Sequence, residues 1–386
     1  MKEKFLRELA DIQTGPFGSQ LHKEDYVADG TPIVTVEHLG NKMFSEQNLP
    51  RVSNTDKNRL KKYVLKQGDI VFSRVGSVDR CSYVDQKHDG WMFSGRCLRV
   101  RPTSEIDSEY LYYYFCLEET KQFVRNISVG ATMPSINTKL LGEVVVTFPE
   151  LEQQKRISGI LSAIDSKIEV NQKINDNLEQ QAAALFSSLY DRSNTEVRYT
   201  DLIQILGGGT PKTGETAYWN GNIAFFTPKD VGTPYTFITE KTITEEGLSH
   251  CNSRLYPVNT VFVTARGTVG KVGLSGVPMA MNQSCYALVG KETHQLLVYF
   301  YTLKAVDRLK HKASGAVFDA ITTRDFDSEQ IMKLSDDDAK AFLCVAEPMF
   351  QEILNNSIEN LRLSTLRDFL LPKLMSGEIN VSSVQL

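Results

Sequence analysis

Ile157-Ser-Gly-Ile-Leu-Ser-Ala-Ile-Asp-Ser-Lys-Ile-Glu-Val-Asn-Gln-Lys-Ile-Asn175 and Phe342-Leu-Cys-Val-Ala-Glu-Pro-Met-Phe-Gln-Glu-Ile-Leu-Asn-Asn-Ser-Ile-Glu-Asn360 are one pattern written twice, 185 residues apart. They lie within two stretches that match without a gap, Glu152 to Tyr190 and Asp337 to Met375. Apolar residues fall at Ile157, Leu161, Ile164, Ile168, Leu178, Ala182, Leu185 and Leu189, and again at Phe342, Ala346, Met349, Ile353, Leu363, Leu370 and Leu374. Alternating steps of three and four are the spacing of a coiled-coil seam. At the middle of each seam stand two asparagines at matching positions, Asn171 and Asn175 in one copy, Asn356 and Asn360 in the other. Antiparallel packing about a pseudo-twofold axis brings them face to face, where they fix register at some cost in stability. About 39 helical residues rise roughly 58 Å, long enough to act as a ruler between two modules on a polymer.

Each seam is preceded by a globular segment of similar length, and these also repeat. Gly68-Asp-Ile-Val-Phe-Ser-Arg-Val-Gly-Ser-Val aligns with Asn259-Thr-Val-Phe-Val-Thr-Ala-Arg-Gly-Thr-Val at an offset of 191, each a strand running into a glycine turn. Gly130-Ala-Thr-Met-Pro-Ser-Ile-Asn-Thr-Lys aligns with Gly315-Ala-Val-Phe-Asp-Ala-Ile-Thr-Thr-Arg at 185, the offset of the helices. The change of offset places a loop insertion or deletion between the two blocks, as variable loops on a shared scaffold produce. Short strands are predicted at Pro32 to Val36, Ile70 to Ser73, Met92 to Val100, Ile223 to Thr227, Val261 to Thr264 and Ser284 to Leu288. Helices are predicted at Ser108 to Val124 and Glu292 to Lys312. The first of these carries Tyr110, Tyr112, Tyr113, Tyr114, Phe115 and Phe123, better placed for core packing than for stacking on bases.

The composition, 41% hydrophobic and 23% charged over 386 residues, fits a folded chain with two cores. No apolar run approaches the length of a membrane span, and Met1-Lys-Glu-Lys-Phe-Leu-Arg-Glu is too charged for a signal peptide, so a cytoplasmic protein is expected. Cys81, Cys97, Cys116, Cys251, Cys285 and Cys344 form no CxxC pair, which argues against a structural zinc site or a disulfide framework. The net charge of −4 is unevenly spread. Residues 150–190 hold six acids and four bases and residues 335–378 eight acids and four bases, so the helices carry −6 and the globules +2. Within the globules, bases cluster at Arg51, Lys57, Arg59, Lys61, Lys62 and Lys66, and at Lys304, Arg308, Lys310, Lys312 and Arg324. One basic cluster per repeat suits a polyanionic partner.

Gly130-Ala-Thr-Met-Pro-Ser-Ile-Asn, a short strand Val144-Val-Val-Thr-Phe-Pro, and then Phe148-Pro-Glu-Leu-Glu-Gln-Gln-Lys-Arg-Ile resemble the end of a target-recognition domain entering a central helix of type I restriction-modification specificity (S) subunits. Leu366-Arg-Asp-Phe-Leu-Leu-Pro-Lys-Leu-Met-Ser-Gly-Glu resembles the C-terminal signature of the same subunits. The second copy departs from the pattern, entering its helix through Ser335-Asp-Asp-Asp-Ala-Lys, and Pro348 is expected to interrupt that helix near its start. The resemblance implies an α+β chain: two mixed α/β target-recognition domains separated by two long antiparallel coiled-coil helices with pseudo-twofold symmetry. It divides as recognition domain 1 (1–149), central conserved helix (150–191), recognition domain 2 (192–334), C-terminal conserved helix (335–378) and tail (379–386).

The resemblance further implies a host-defence subunit without chemistry of its own. Each domain would read one half of a bipartite site in double-stranded DNA, and the helices would set the spacer and dock two methyltransferase subunits, with two restriction/translocase subunits optional. No cofactor is expected on this chain: S-adenosylmethionine would belong to the methyltransferase, ATP and magnesium to the restriction subunit. Groove readers must be polar side chains on loops, with bases near phosphate. In the first module these requirements select Ser19, Gln20, His22, Lys23, Arg74, Arg80 and Arg96. Gly15-Pro-Phe-Gly-Ser-Gln parallels Gly208-Gly-Thr-Pro-Lys-Thr, and the turns after Phe72 and Val263 both carry arginine, so Lys212, Thr213, Trp219, Asn220, Arg266 and Lys271 are taken as the equivalents.

A self-contained adenine methyltransferase needs an Asn/Asp-Pro-Pro-aromatic loop, and the chain has no Pro-Pro pair. Gly267-Thr-Val-Gly-Lys-Val-Gly lacks the spacing and the hydroxyl residue of a phosphate loop, and Gly207-Gly-Gly does not open a dinucleotide fold. The rival readings are a stand-alone DNA-modifying enzyme, which predicts activity from the chain alone, and a non-DNA scaffold, which predicts no salt-sensitive affinity for duplex DNA.

Overall fold

The two seams form helices Leu151–Arg192 and Asp336–Ser376. The computed structural model describes residues 1–18, 20–40, 42–130, 132–232, 234–312 and 320–381. The second helix runs through Pro348 without a break, contrary to the expected interruption. Proline removes one intrahelical donor, but buried Ala346 on one side and buried Phe350 on the other hold the turn against the core. Gly377, at φ 79°, ends the helix in the left-handed conformation, and the Ile379 amide closes back on the Lys373 carbonyl at 3.1 Å.

The chain divides into two units, Met1–Glu169 with Leu361–Leu386, and Val170–Asn360. Each boundary falls inside a long helix, whereas the sequence suggests divisions at the helix ends. The reason is burial. Ile157, Leu161, Leu371 and Leu374 belong to the core of the first unit, and Ala182, Phe186, Phe342, Ala346 and Ile353 to that of the second. The central asparagines fall within the second unit. There the Asn171 amide donates to Asn360 at 2.9 Å and the Asn356 amide to Asn175 at 3.0 Å, as antiparallel pairing requires.

The first unit holds a four-stranded antiparallel sheet in the order Ala10–Thr14, Cys97–Pro102, Ile70–Ser73, Cys81–Tyr83. A second sheet runs Tyr26–Val27, Arg51–Val52, Thr31–Val34, Met92–Phe93. Strand Ile70–Ser73 is buried on both faces. Ile70 and Phe72 enter one core while Val71 enters another, because alternate side chains leave a strand on opposite sides. The second unit repeats the device. Val261 and Val263 of Val261–Thr264 join one cluster and Phe262 another. Its sheets are Ile203–Gly207, Cys285–Gly290, Val261–Thr264, Val272–Ser275, Tyr235–Thr236, and Lys241–Ile243, Trp219–Phe226, Met279–Met281. In each unit a two-stranded ribbon, Lys2–Phe5 with Val145–Phe148 or Thr195–Arg198 with Gln330–Lys333, joins the ends of the module.

Two predicted elements are divided. The strand expected from Met92 to Val100 stops at Phe93 and resumes at Cys97, leaving a loop. The aromatic helix ends at Cys116, Leu117 turns extended (ψ 134°), and a second helix Glu118–Ile127 starts with two acids in its first turn, where the helix dipole favours them. Tyr110, Tyr113 and Phe115 are buried, in accord with a packing role. The entry motif before the first long helix also has a visible task. Gln154, 1% exposed, donates to the Pro149 carbonyl at 2.9 Å and accepts from the Asp107 amide at 2.8 Å, tying that helix to the aromatic one.

Candidate nucleic-acid interface

Four segments meet at one groove in the first unit: residues 16–18 with Leu21, the turn after Val34, Arg74 after Ile70–Ser73, and residues 94–96. The groove encloses ≈ 530 Å³, and its lining includes Phe17, Tyr26, Glu37, Arg74 and Arg96. The loops are locked by backbone contacts. A Cβ on Gly15 would stand 2.1 Å from the Ser94 carbonyl oxygen, so no side chain fits there; at Gly208 the clash is with the Asn282 oxygen, at 2.2 Å.

Four backbone hydrogen bonds of one frame have counterparts in the other. Ser94 N donates to Val34 O at 2.9 Å and Asn282 N to Phe226 O at 3.0 Å; Ser73 N donates to Arg80 O at 2.9 Å and Thr264 N to Lys271 O at 3.0 Å. Arg74 N reaches Arg96 O at 2.8 Å where Ala265 N reaches Ser284 O at 2.8 Å, and Ile136 N reaches Arg74 O at 2.9 Å where Ile321 N reaches Ala265 O at 2.9 Å. These pairs match Arg80 with Lys271 and Arg96 with Ser284. They agree with the offset of 191 in setting Arg74 opposite Ala265, and Val75, bridged to Ser135, opposite Arg266, bridged to Ala320, so the two arginines paired by their turns are not positional equivalents. The two arginines are one residue out of step.

Their environments differ accordingly. Arg74 is half-buried, donating to the Gly95 carbonyl at 3.0 Å with its guanidinium carbon 5.1 Å from the Phe17 ring centroid. Arg266 is exposed. Arg96 is also exposed, at the groove mouth, and among the described residues its side chain has no polar partner. Gln20 is taken up internally, its side-chain oxygen accepting from the Tyr63 hydroxyl at 2.6 Å and its carbonyl from Arg59 at 2.9 Å. The Arg80 guanidinium donates to the Leu39 carbonyl, and His22 is exposed. Ser19 and the Lys23 side chain lie outside the described residues, as do residues 315–319 of the second matched block.

In the second unit Lys212, Thr213, Asn220 and Lys271 are exposed. Asn220, at φ 59°, occupies the left-handed region where the strand bulges between Trp219 and Ile223. Trp219 packs edge-on against Phe225 at 5.5 Å and donates to the Lys212 carbonyl at 3.2 Å, so it braces the loop that presents Lys212. Part of the basic clusters serves folding as well. Lys312 pairs with fully buried Glu329, with Arg308 3.5 Å away, and Arg59 pairs with Asp56 at 2.8 Å. Burial pushes the Cys97 and Cys285 thiols up to about 12, so both stay protonated. Sequence reasoning missed Phe17, 53% exposed, and Glu37. Phe17 lies in the block that parallels Gly208-Gly-Thr-Pro-Lys-Thr but is apolar, and Glu37 lies outside the repeated blocks.

Among the described residues there is no cluster of three or more His, Cys, Asp or Glu that could hold a metal, and no helix is long and apolar enough to cross a membrane. The type I restriction-modification DNA specificity domain model matches residues 1–180 and 192–333. The type I restriction enzyme HindI specificity subunit of Haemophilus influenzae is 25% identical over 404 aligned residues, covering 82% of this chain and 88% of the relative. The MjaIX specificity subunit of Methanocaldococcus jannaschii is 24% identical over 312, covering 74% and 72%. The crystal structure of an S subunit from M. genitalium shares the fold with a TM-score of 0.62 at 16% identity, over 97% of this chain and 95% of that one. With the family model spanning both modules and most of the first long helix, the chain belongs to the type I restriction-modification DNA specificity family.

Proposed function

We propose that the chain is the DNA-reading subunit of a type I restriction-modification complex, and that each module reads one half of a bipartite duplex site. The observation that carries this reading is one hydrogen-bonded frame presenting two different sets of side chains. A scaffold without sequence preference has no use for such divergence, whereas independent reading of two half-sites requires it. The exposed side chains with no hydrogen bond among the described residues, His22 and Arg96 in the first module and Lys212, Thr213, Asn220, Arg266 and Lys271 in the second, form the direct contacts. Gln20, Arg74, Arg80 and Trp219 shape the loops that present them. Ser19 and Lys23 remain in the proposed contact set on sequence grounds.

The paired helices set the spacer and dock two methyltransferase subunits, with two restriction/translocase subunits optional. The partners supply the chemistry: S-adenosylmethionine serves the methyltransferase, ATP and magnesium the restriction subunit, and this chain contributes only binding. Incubating the purified chain with duplex DNA and S-adenosylmethionine, with and without its methyltransferase partner, tests the proposal. Sequence-specific methylation only in the presence of both proteins is expected; methyl transfer by the chain alone overturns it.

A further inference from the structure

The turn after the strand that ends at Val34 has a counterpart after Phe226, because Ser94 N and Asn282 N donate to those two carbonyls in the same way. Both turns are closed by the same threonine device. Thr35 N donates to His38 Nδ1 at 3.0 Å, and Thr227 N to Asp230 Oδ2 at 2.8 Å. Each turn is also fastened to the neighbouring loop that follows the central strand. In one module Arg80 donates to the Leu39 carbonyl, and in the other Thr268 Oγ1 donates to the Pro228 carbonyl at 3.0 Å. Counting along the matched turns sets Glu37 opposite Lys229. Both are exposed: Glu37 lines the groove beside Arg74 and Arg96, and the Lys229 side chain is 79% exposed with only a 3.5 Å pair to Glu240.

Resting on the reading of the modules as half-site readers, we propose that this turn is a specificity position with its charge inverted between modules. Glu37 accepts a hydrogen bond from the exocyclic amino group of a cytosine, and Lys229 donates to the O6 and N7 acceptors of a guanine. A carboxylate inside a groove that meets DNA is repelled by every phosphate. It is tolerated there when it faces a base-edge donor, and cytosine N4 is the amino group that Asp and Glu read in the major groove. A lysine at the same place meets acceptors, and guanine offers two. The Thr35 hydroxyl, 3.1 Å from Glu37 Oε1, orients the carboxylate without neutralising it.

The test uses the full chain with its methyltransferase partner in cells and reads the methylated motif by sequencing, for the wild type and for Glu37→Lys, Glu37→Gln and Lys229→Glu. Each variant is expected to lose discrimination at one base of one half-site, with methylation of the cognate base falling roughly ten- to a hundredfold. The other half-site is the internal control and stays unchanged. Active variants with the wild-type motif overturn the proposal, as does a uniform loss over all sequences, which marks a phosphate contact. If Glu37→Lys does not fold, the isosteric Glu37→Gln decides by the same criterion. A wild-type complex that methylates without sequence preference defeats instead the underlying reading of the modules.

Discussion

The first and second modules share four matched backbone hydrogen bonds of their frame and differ in the side chains carried on it. Arg74 stands where the other module has Ala265, Arg96 where it has Ser284, Val75 where it has Arg266, and Glu37 where it has Lys229. The frame is fixed by steric necessity, as at Gly15 and Gly208, while the walls are free to vary because exposed loop side chains contribute little to stability. A protein that must change what it reads without changing how it folds is served by this division.

The same comparison extends to the way each module grips its part of the helices. The second unit uses an aromatic cluster: Phe186 stacks on Phe300 at 5.0 Å and meets Phe342 at 5.5 Å and Tyr301 at 5.4 Å. The first unit adds a polar network to its apolar contacts. Asp165 accepts from the Tyr113 hydroxyl at 2.6 Å and from Arg367 at 2.8 Å, and Lys42 reaches Glu109 at 2.9 Å and Ser162 at 2.8 Å. Burial, with the Asp165 carboxylate beside it, pushes the Tyr113 phenol well up, so it remains a donor throughout the ordinary pH range.

Substitutions separate the two grips. Phe186→Ala removes the centre of the aromatic cluster and should destabilise the second unit by about 3–5 kcal/mol, read by denaturant unfolding. Asp165→Ala leaves the buried Tyr113 hydroxyl without its acceptor and Arg367 with Asp368 alone, costing the first unit about 1–3 kcal/mol. Equal effects of the two on both units would mean that the grips are not separate. In the turn after Val261–Thr264, Arg266→Ala should weaken binding to the second half-site by about 1–3 kcal/mol if it reads guanine. Arg74→Ala should act through Phe17 and Gly95, altering the first groove without lowering the salt dependence of binding. A salt slope that falls by about one for Arg74→Ala would identify it instead as a phosphate contact. The smallest effect concerns the central asparagines. Replacing Asn175 and Asn356 together by Leu should leave stability equal or raise it by about 1 kcal/mol, since the pair serves register more than stability. A large loss would show that the pair contributes stability directly.

The duplicated helices are legible in the sequence because an apolar seam must recur strictly to stay buried, and the asparagine pairing follows from their positions at its centre. The central strands are legible for a similar reason, being apolar on both faces. Strands such as Tyr26–Val27 and Cys81–Tyr83 are too short to carry a period, and the break at Leu117 depends on tertiary packing. The groove is the least legible part. Pairing the arginines by the turns that carry them puts Arg74 with Arg266. The offset of 191 between the two blocks already sets Arg74 opposite Ala265, and the backbone hydrogen bonds agree with that offset. Glu37 and Lys229 sit where the copies scarcely agree, and their kinship rests on two threonine-closed turns whose closing residues, His38 and Asp230, differ.

The central claim is that the modules read independently, and replacing residues 1–149 by the first recognition domain of another family member tests it most directly. Methylated-motif sequencing of the hybrid with its methyltransferase partner should show one half of the bipartite site changed, and the other half and the spacer unchanged. A hybrid in which both halves change, or neither does, would contradict the account.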